Sequence, residues 1–170
     1  MTPLYAVLTV VAIQRLLELA YARANTQRLL ARGAVESGRG HYSLFVVLHS
    51  GWLAVLAVTV PPATLPRPEL LGLLAALMAT RLWVMASLGQ FWTTRIISLP
   101  GAPLVRRGPY RLFRHPNYLV VAGEIAVLPL AFDALAVALA FSILNGALLA
   151  VRIAAEEAAL SARGRIAATG

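Results

Sequence analysis

The sequence has no cysteine and no lysine in 170 residues. Without cysteine there is no disulfide framework, no thiolate metal site and no cysteine nucleophile. Charge is scarce as well. Only 13% of residues are charged, and seven of those are acids. A soluble domain would be about a quarter charged and about half apolar. Here 59% of the residues are hydrophobic and the mean hydropathy is +0.75. That balance excludes a disordered chain, a coiled coil and an ordinary cytosolic fold. The three histidines and the acids show no metal-ligand spacing, so no metal is expected.

Long apolar runs dominate what remains. A bilayer core needs about 20 mostly apolar residues per helix. Five runs qualify: 3–22, 42–60, 68–91, 117–132 and 133–152. Pro61-Pro62 stops the second. The stretch 117–152 is too long for one span. Its break at Pro129 and Asp133 predicts a tight helical hairpin, with Asp133 capping the last helix. The first run has no basic start and carries Gln14, Arg15 and Glu18, which argues against a signal peptide. The expected fold is all-α, a polytopic membrane protein with about five transmembrane helices in one domain over 1–170.

All 15 basic residues are arginine, and their placement is one-sided. Arg23, Arg28, Arg32 and Arg39 follow the first run. Arg95, Arg106, Arg107, Arg111 and Arg114 follow the third. Arg152, Arg163 and Arg165 end the last. The other side keeps Arg67 alone, while Arg15 and Arg81 sit inside runs. The positive-inside rule then places the N-terminus outside and the C-terminus in the cytoplasm. It also accounts for the net charge of +8 without nucleic acid, for which no binding module is visible.

Ionisable groups inside spans are costly and default to functional candidates. Arg15 and Glu18 lie three apart on one helix face, placed either to pair or to line a substrate path. Arg81 and Glu124 are placed to pair across helices. His49 reads as a packed, hydrogen-bonded residue. Asn145 either caps a polar contact or lines a pocket. Trp83, Trp92 and Tyr42 suit the membrane interface. The small residues Gly72, Ala75, Ala76 and Ala79 suit close helix packing.

The loop after the third run carries the densest chemistry. It is rich in Gly and Pro, which fix turns and let a ligand approach the backbone. Its arginines are interleaved with Tyr and His. Charge alone fits a loop resting on anionic lipid headgroups. The order of residues says more. Gly108-Pro109-Tyr110, then Arg114-His115-Pro116 and Tyr118, resembles the signature of the isoprenylcysteine carboxyl methyltransferase family of membrane enzymes. The second half of that signature is similar to Arg152-Ile-Ala-Ala-Glu156-Glu157 at the end of the last run. The resemblance covers 92–160. Arg15-Leu-Leu-Glu18, Arg32-Gly-Ala, His41-Tyr42 with His49, and Trp92-Thr-Thr-Arg95 resemble a bacterial branch associated with type III polyketide synthases, whose members O-methylate alkylpyrones or alkylresorcinols. Position 120 holds Val where many carboxyl methyltransferases have Gly, and little chain follows the acidic pair. Both departures point away from prenylcysteine.

The resemblance implies S-adenosylmethionine as methyl donor, held at the cytoplasmic ends of the last two spans of a bacterial inner-membrane protein. Gly108, Tyr110, His115, Pro116, Tyr118, Glu124, Arg152 and Glu156 form the expected cofactor set. Arg114 or Arg152 suits the donor carboxylate. Glu156 or Glu157 suits its ribose or amino group. Arg114 is the expected acceptor-orienting catalytic residue, with Glu156 or Glu157 as the base a phenol would require. Trp92 and Arg95 are expected to touch substrate at the bilayer edge. The implied acceptor is a lipophilic small molecule, a phenolic lipid or alkylpyrone, reached from membrane lipid. The alternatives are carboxyl methylation of a prenylated cysteine-type substrate, a lipid-binding protein, and a membrane reductase. The acidic pair suits a cation-bearing donor better than a dinucleotide phosphate. The absence of inverted repeats argues against a transporter.

Overall fold

The computed structural model describes residues 2–38, 40 and 42–168, with side chains through residue 159. Arg39, His41 and the side chains of Arg163 and Arg165 therefore lie outside the described residues. Five helices carry the chain: α1 (Pro3–Ala31), α2 (Tyr42–Thr59), α3 (Pro68–Leu88), α4 (Pro116–Ala131) and α5 (Leu135–Ala168). Three of them start with Pro inside the first turn, where a missing N–H costs nothing. Among the described residues, four helices are long and apolar enough to cross a membrane. The fourth of the five expected spans, α4, has 16 residues, about 24 Å, which is short of a bilayer core of about 30 Å. It is the inner helix, packed between α3 and α5. Leu16, Leu17, Val47, Val58, Leu82 and Ile143 are exposed on the outside of the bundle. Helices apolar on every face suit a lipid surround.

Two helices run past their expected ends. α1 continues from 22 to Ala31, and α5 from 152 to Ala168. The extra turns are rich in Arg, Ala, Leu and Glu, all good helix formers, so the helices continue beyond the apolar run. Both loops and the end of α5 gather at one end of the bundle. There a two-stranded antiparallel ribbon joins β1 (Val35–Ser37) to β2 (Ile96–Ser98), pairing Val35 with Ser98 and Ser37 with Ile96. Short apolar stretches in Gly-rich loops gave no alternation long enough to foresee it.

The α4–α5 hairpin forms as expected, with a different closure. Asp133 is not the helix cap, because α5 starts at Leu135. It adopts φ +57° and completes a Schellman turn, with Asp133 N–H bonded to Leu130 O and Ala134 N–H to Pro129 O. Gly33 ends α1 in the same way at φ +85°. Asp133 also pairs with Arg67, whose N–H bonds to Ala131 O at 2.8 Å. That knits the α2–α3 loop to the hairpin.

The core has two apolar clusters with a charged layer between them. The larger holds Leu4, Leu8 and Val11 of α1, Trp52 and Leu56 of α2, Leu74 of α3, and Ile125 and Leu128 of α4. The smaller holds Ala22, Val84, Met85 and Trp92, with Tyr110 packed against it. In the charged layer both expected pairs occur, Arg15–Glu18 at 2.8 Å and Arg81–Glu124 at 3.5 Å. They belong to one network. Arg81 Nε donates to both oxygens of Glu18 at 2.8 Å, and Arg15 reaches Glu124 at 2.8 Å. His49 is packed as expected, bonded to Phe45 O at 2.8 Å and edge-on to Trp52. The small-residue face of α3 differs from expectation. Gly72, Ala75, Ala76 and Ala79 face outward, because α3 turns Leu74, Leu77 and Arg81 toward its neighbours. The close approach falls instead at Gly123, where a Cβ would stand 3.1 Å from Leu77.

Asp133 yields a stability test. Asp133→Val places a β-branched residue at positive φ and is expected to cost about 1–2 kcal/mol. Asp133→Gly loses only an exposed ion pair worth under about 1 kcal/mol and relieves the backbone. Thermal unfolding in detergent should rank Val below wild type and Gly close to it.

Candidate active site

The site forms where α4 begins and α5 leaves the apolar run. Pro116 takes the first helical position of α4, and the residue before it is held out of the helix, with His115 at φ −131°. The His115 ring then stacks on Tyr118, 5.5 Å between centroids. On α5, Arg152 and Glu156 are four apart and share a face. The two helices meet through these groups. The Tyr118 hydroxyl donates a short hydrogen bond to Glu156 and accepts one from Arg152 Nε at 3.2 Å. Arg152 Nη2 donates to Thr94 O at 2.9 Å, which ties the third loop to α5. His115 lies 3.9 Å from Glu156 and 3.6 Å from Glu157, and Arg114 lies 3.5 Å from Glu157. Exposure rises outward through the cluster. Arg152 is 7% exposed, the Glu156 side chain 31%, Glu157 49% and Arg114 88%. Arg114, His115, Tyr118, Arg152, Glu156 and Glu157 thus form one polar cluster, the candidate donor cleft, running from a buried cation to an open rim.

Comparison with known proteins follows the same boundaries. Residues 70–162 match the isoprenylcysteine carboxyl methyltransferase (ICMT) family, a segment holding α4, the cleft and both motif halves. The chain belongs to the ICMT family. Over 160 residues it is 38% identical to YpbQ, an uncharacterized protein of Bacillus subtilis strain 168, covering 92% of this chain and 95% of the relative. Over 152 residues it is 27% identical to an uncharacterized protein of Haemophilus influenzae strain Rd, covering 86% and 88%. No solved structure matches. ICMT-family enzymes are membrane methyltransferases that take their methyl group from S-adenosylmethionine.

The residues of the cleft fit that donor. Its ammonium and ribose hydroxyls need acceptors, and Glu156 keeps one oxygen beyond its bond to Tyr118. Its carboxylate needs a cation, which Arg114 offers at the rim. Its adenine needs a flat surface, which the stacked His115 and Tyr118 rings provide. Beside them, the Asn117 Oδ1 is buried without a hydrogen-bond partner among the described residues.

The other expected site residues fall elsewhere. Tyr110 is packed beside Trp92, and its phenol is pushed well above the ordinary value by burial and by the negative charge of Glu156, with Arg81 partly offsetting both. Trp92 is 3% exposed beneath Arg81, 5.8 Å from guanidinium to ring, so its side chain packs inside the bundle. Trp83 does stay exposed. Arg95 pairs with Glu36 at 3.4 Å and lies over the Tyr42 ring. Glu124 is bound up with Arg15 and Arg81, deeper than the cleft. Asn25 was not singled out by sequence. It is 1% exposed, and its Nδ2 donates to Gly89 O and Trp92 O at 3.0 Å each, holding the start of the third loop against α1. A lone Asn in the apolar-to-basic part of a helix was its only signal.

Gly108 is a packing requirement. It has φ +55°, and a Cβ there would fall 2.2 Å from Ser87 Oγ. Arg107 Nε anchors the same spot on Ser87 O at 2.6 Å. Gly108→Ala is therefore expected to lift the loop from α3. Trypsin cleavage after Arg106, Arg107 and Arg111 in detergent should accelerate about tenfold, the equivalent of about 1.4 kcal/mol.

Proposed function

We propose that this chain is an S-adenosylmethionine-dependent O-methyltransferase whose acceptor is a lipophilic molecule drawn from the bilayer, a phenolic lipid or alkylpyrone. The reading rests on the junction of Tyr118, Arg152 and Glu156, which joins the two motif halves into one polar cleft at the end of an apolar bundle. The cleft opens at the end that carries the arginine-rich loops, so it faces the cytoplasm, where the soluble donor is available. Both relatives are bacterial proteins, which supports an inner-membrane setting.

When bound, S-adenosylmethionine supplies a methyl group on cationic sulfur; the O–CH3 bond forms as the S–CH3 bond breaks, and S-adenosylhomocysteine leaves. The chain's own groups bind and orient. Glu156 accepts from the amino group or ribose of the donor, and the negative charge of the acidic pair suits its cation. His115 and Tyr118 frame its flat part, with Pro116 fixing the turn. Arg152 holds Tyr118 and Glu156 in place through bonds to both halves of the site. Arg114, 88% exposed with N–H groups to spare, pairs with a carboxylate or with the acceptor oxyanion at the rim. A phenol must lose its proton, and Glu157, half-exposed beside His115, is the carboxylate placed to take it. In-line positioning supplies much of the rate, because the methyl group arrives activated.

Purified protein in detergent, given methyl-labelled S-adenosylmethionine and a lipid extract of its host, is expected to move label into the organic phase in an alkali-stable form. Alkali-labile label would overturn the phenol or pyrone acceptor in favour of a carboxylate. No transfer and no donor binding would overturn the methyltransferase reading. Glu156→Gln with Glu157→Gln is expected to abolish donor binding measured by calorimetry. Tyr118→Phe is expected to weaken it about 10- to 100-fold, the range of one hydrogen bond to a charged group.

A further inference from the structure

The far end of α3 carries a second concave feature. The apolar span that α3 begins runs from Pro68 to Phe91, 24 residues. That is about 36 Å, longer than a bilayer core of about 30 Å. Its last turn therefore stands at headgroup depth, at the arginine-rich end of the bundle. There a cavity of about 360 Å³ opens between this turn and the segment 103–107 of the third loop. Ligand sites span about 300–1,000 Å³. Leu88, Phe91, Leu104 and Val105 give the cavity apolar walls, and Arg106 and Arg107 give it a charged edge. Among the described residues, no acid and no member of the methyl-transfer cleft lines it.

The cations around this cavity are unspent. Arg32, at the end of α1, donates to Gln90 Oε1 at 3.1 Å, and Gln90 also lines the cavity, so a third guanidinium stands at the same edge. Arg107 is fixed through Nε on Ser87 O at 2.6 Å, which leaves its two Nη groups for another partner. Arg32, Arg106 and Arg107 are all exposed, and none pairs with an acid among the described residues. Three like charges from two separate segments of chain raise a positive potential that an anion relieves. A phosphate accepts several guanidinium hydrogen bonds at once. The walls ask for something else. Leu104 is 56% exposed and Trp83, further back on α3, is 55% exposed, so the same region also presents apolar surface. Only an occupant with an anionic head and a hydrocarbon tail answers both demands.

We propose that this cavity binds one anionic phospholipid of the leaflet at the arginine-rich end. Its phosphate lies on Arg32, Arg106 and Arg107, and the upper part of an acyl chain covers Leu88, Phe91, Leu104 and Val105. A soluble phosphate would leave those walls wet, and a zwitterionic lipid would return a positive charge to the cluster. Residues 103–107 lead directly into Gly108-Pro109-Tyr110. The bound lipid therefore straps the loop to the end of α3 just ahead of the motif. The site is independent of what the cleft methylates.

Native mass spectrometry of the full chain in detergent tests the site, titrated with a phosphatidylglycerol and a phosphatidylcholine of identical chains. Wild type is expected to retain one phosphatidylglycerol with at least about tenfold higher affinity than phosphatidylcholine. Arg32→Gln with Arg106→Gln is expected to remove that preference. Arg23→Gln with Arg111→Gln makes the same change in net charge at positions that do not line the cavity, and is expected to keep it. Leu104→Gln leaves the charge alone and is expected to weaken phosphatidylglycerol about threefold through its chain. Equal retention of the two lipids by wild type overturns the proposal. So does equal loss in the two arginine pairs, which would make the preference one of net charge. Undiminished affinity in Leu104→Gln overturns the seat of the chain. Glycerol phosphate that displaces the lipid at equal concentration gives the cavity to a soluble anion and overturns the lipid. Lipid retention is read without methyl transfer, so none of these results bears on the methyltransferase reading.

Discussion

Arg81 donates from one nitrogen to both oxygens of Glu18, 63 positions away, inside a bundle that offers neither group water. An apolar contact between helices can slide by a fraction of a turn at small cost. A buried charge cannot, because losing its partner costs about 3–5 kcal/mol. The pairing therefore sets the register of α1 on α3, and the Arg15 and Arg81 contacts to Glu124 bring α4 into the same frame. Two turns along α1 from Glu18, Asn25 meets Gly89 and Trp92. The third loop is thus positioned by the charged layer, through Asn25 and through Arg81 lying over the Trp92 ring.

The second half of the frame is made by backbone. The Schellman turn at Asp133 folds α5 back along α4, and the hydroxyl of Tyr118 then finds Glu156 across the hairpin. Nothing apolar could join those two helices so specifically at their wet ends. Tyr118 both donates and accepts, so one oxygen links a cation and an anion on the same face of α5. The β1–β2 ribbon and the Arg152 bond to Thr94 close the loops over this junction.

Much of this was legible in the chain. Apolar runs of the right length gave the helices, and Pro129 with Asp133 gave the hairpin. The order of Arg114, His115, Pro116 and Tyr118, with Arg152, Glu156 and Glu157 far downstream, pointed to one cleft, and those residues do meet. What failed was direction. Gly72, Ala75, Ala76 and Ala79 looked like a packing stripe, yet a nearly uniform apolar helix has no face that composition alone can mark as inward. Trp92, placed by sequence at the membrane edge, turns its ring into the bundle beneath Arg81. Partner choice was also hidden, because Arg81 had two carboxylates to choose from and spacing names pairs only within one helix. The ribbon was too short to show a period.

The four-residue step from Arg152 to Glu156 has a different kind of consequence, for how this chain tolerates change in length. Each residue of an α-helix turns it by about 100°. Deleting one residue between 152 and 156 would swing the acidic pair about a third of the way round α5 and away from Tyr118. A residue gained or lost in the Gly- and Pro-rich segment 99–106 would be taken up by slack backbone. The long interval between the motif halves is therefore elastic in its loops and rigid in its last turn, and natural variation in length should collect in the former.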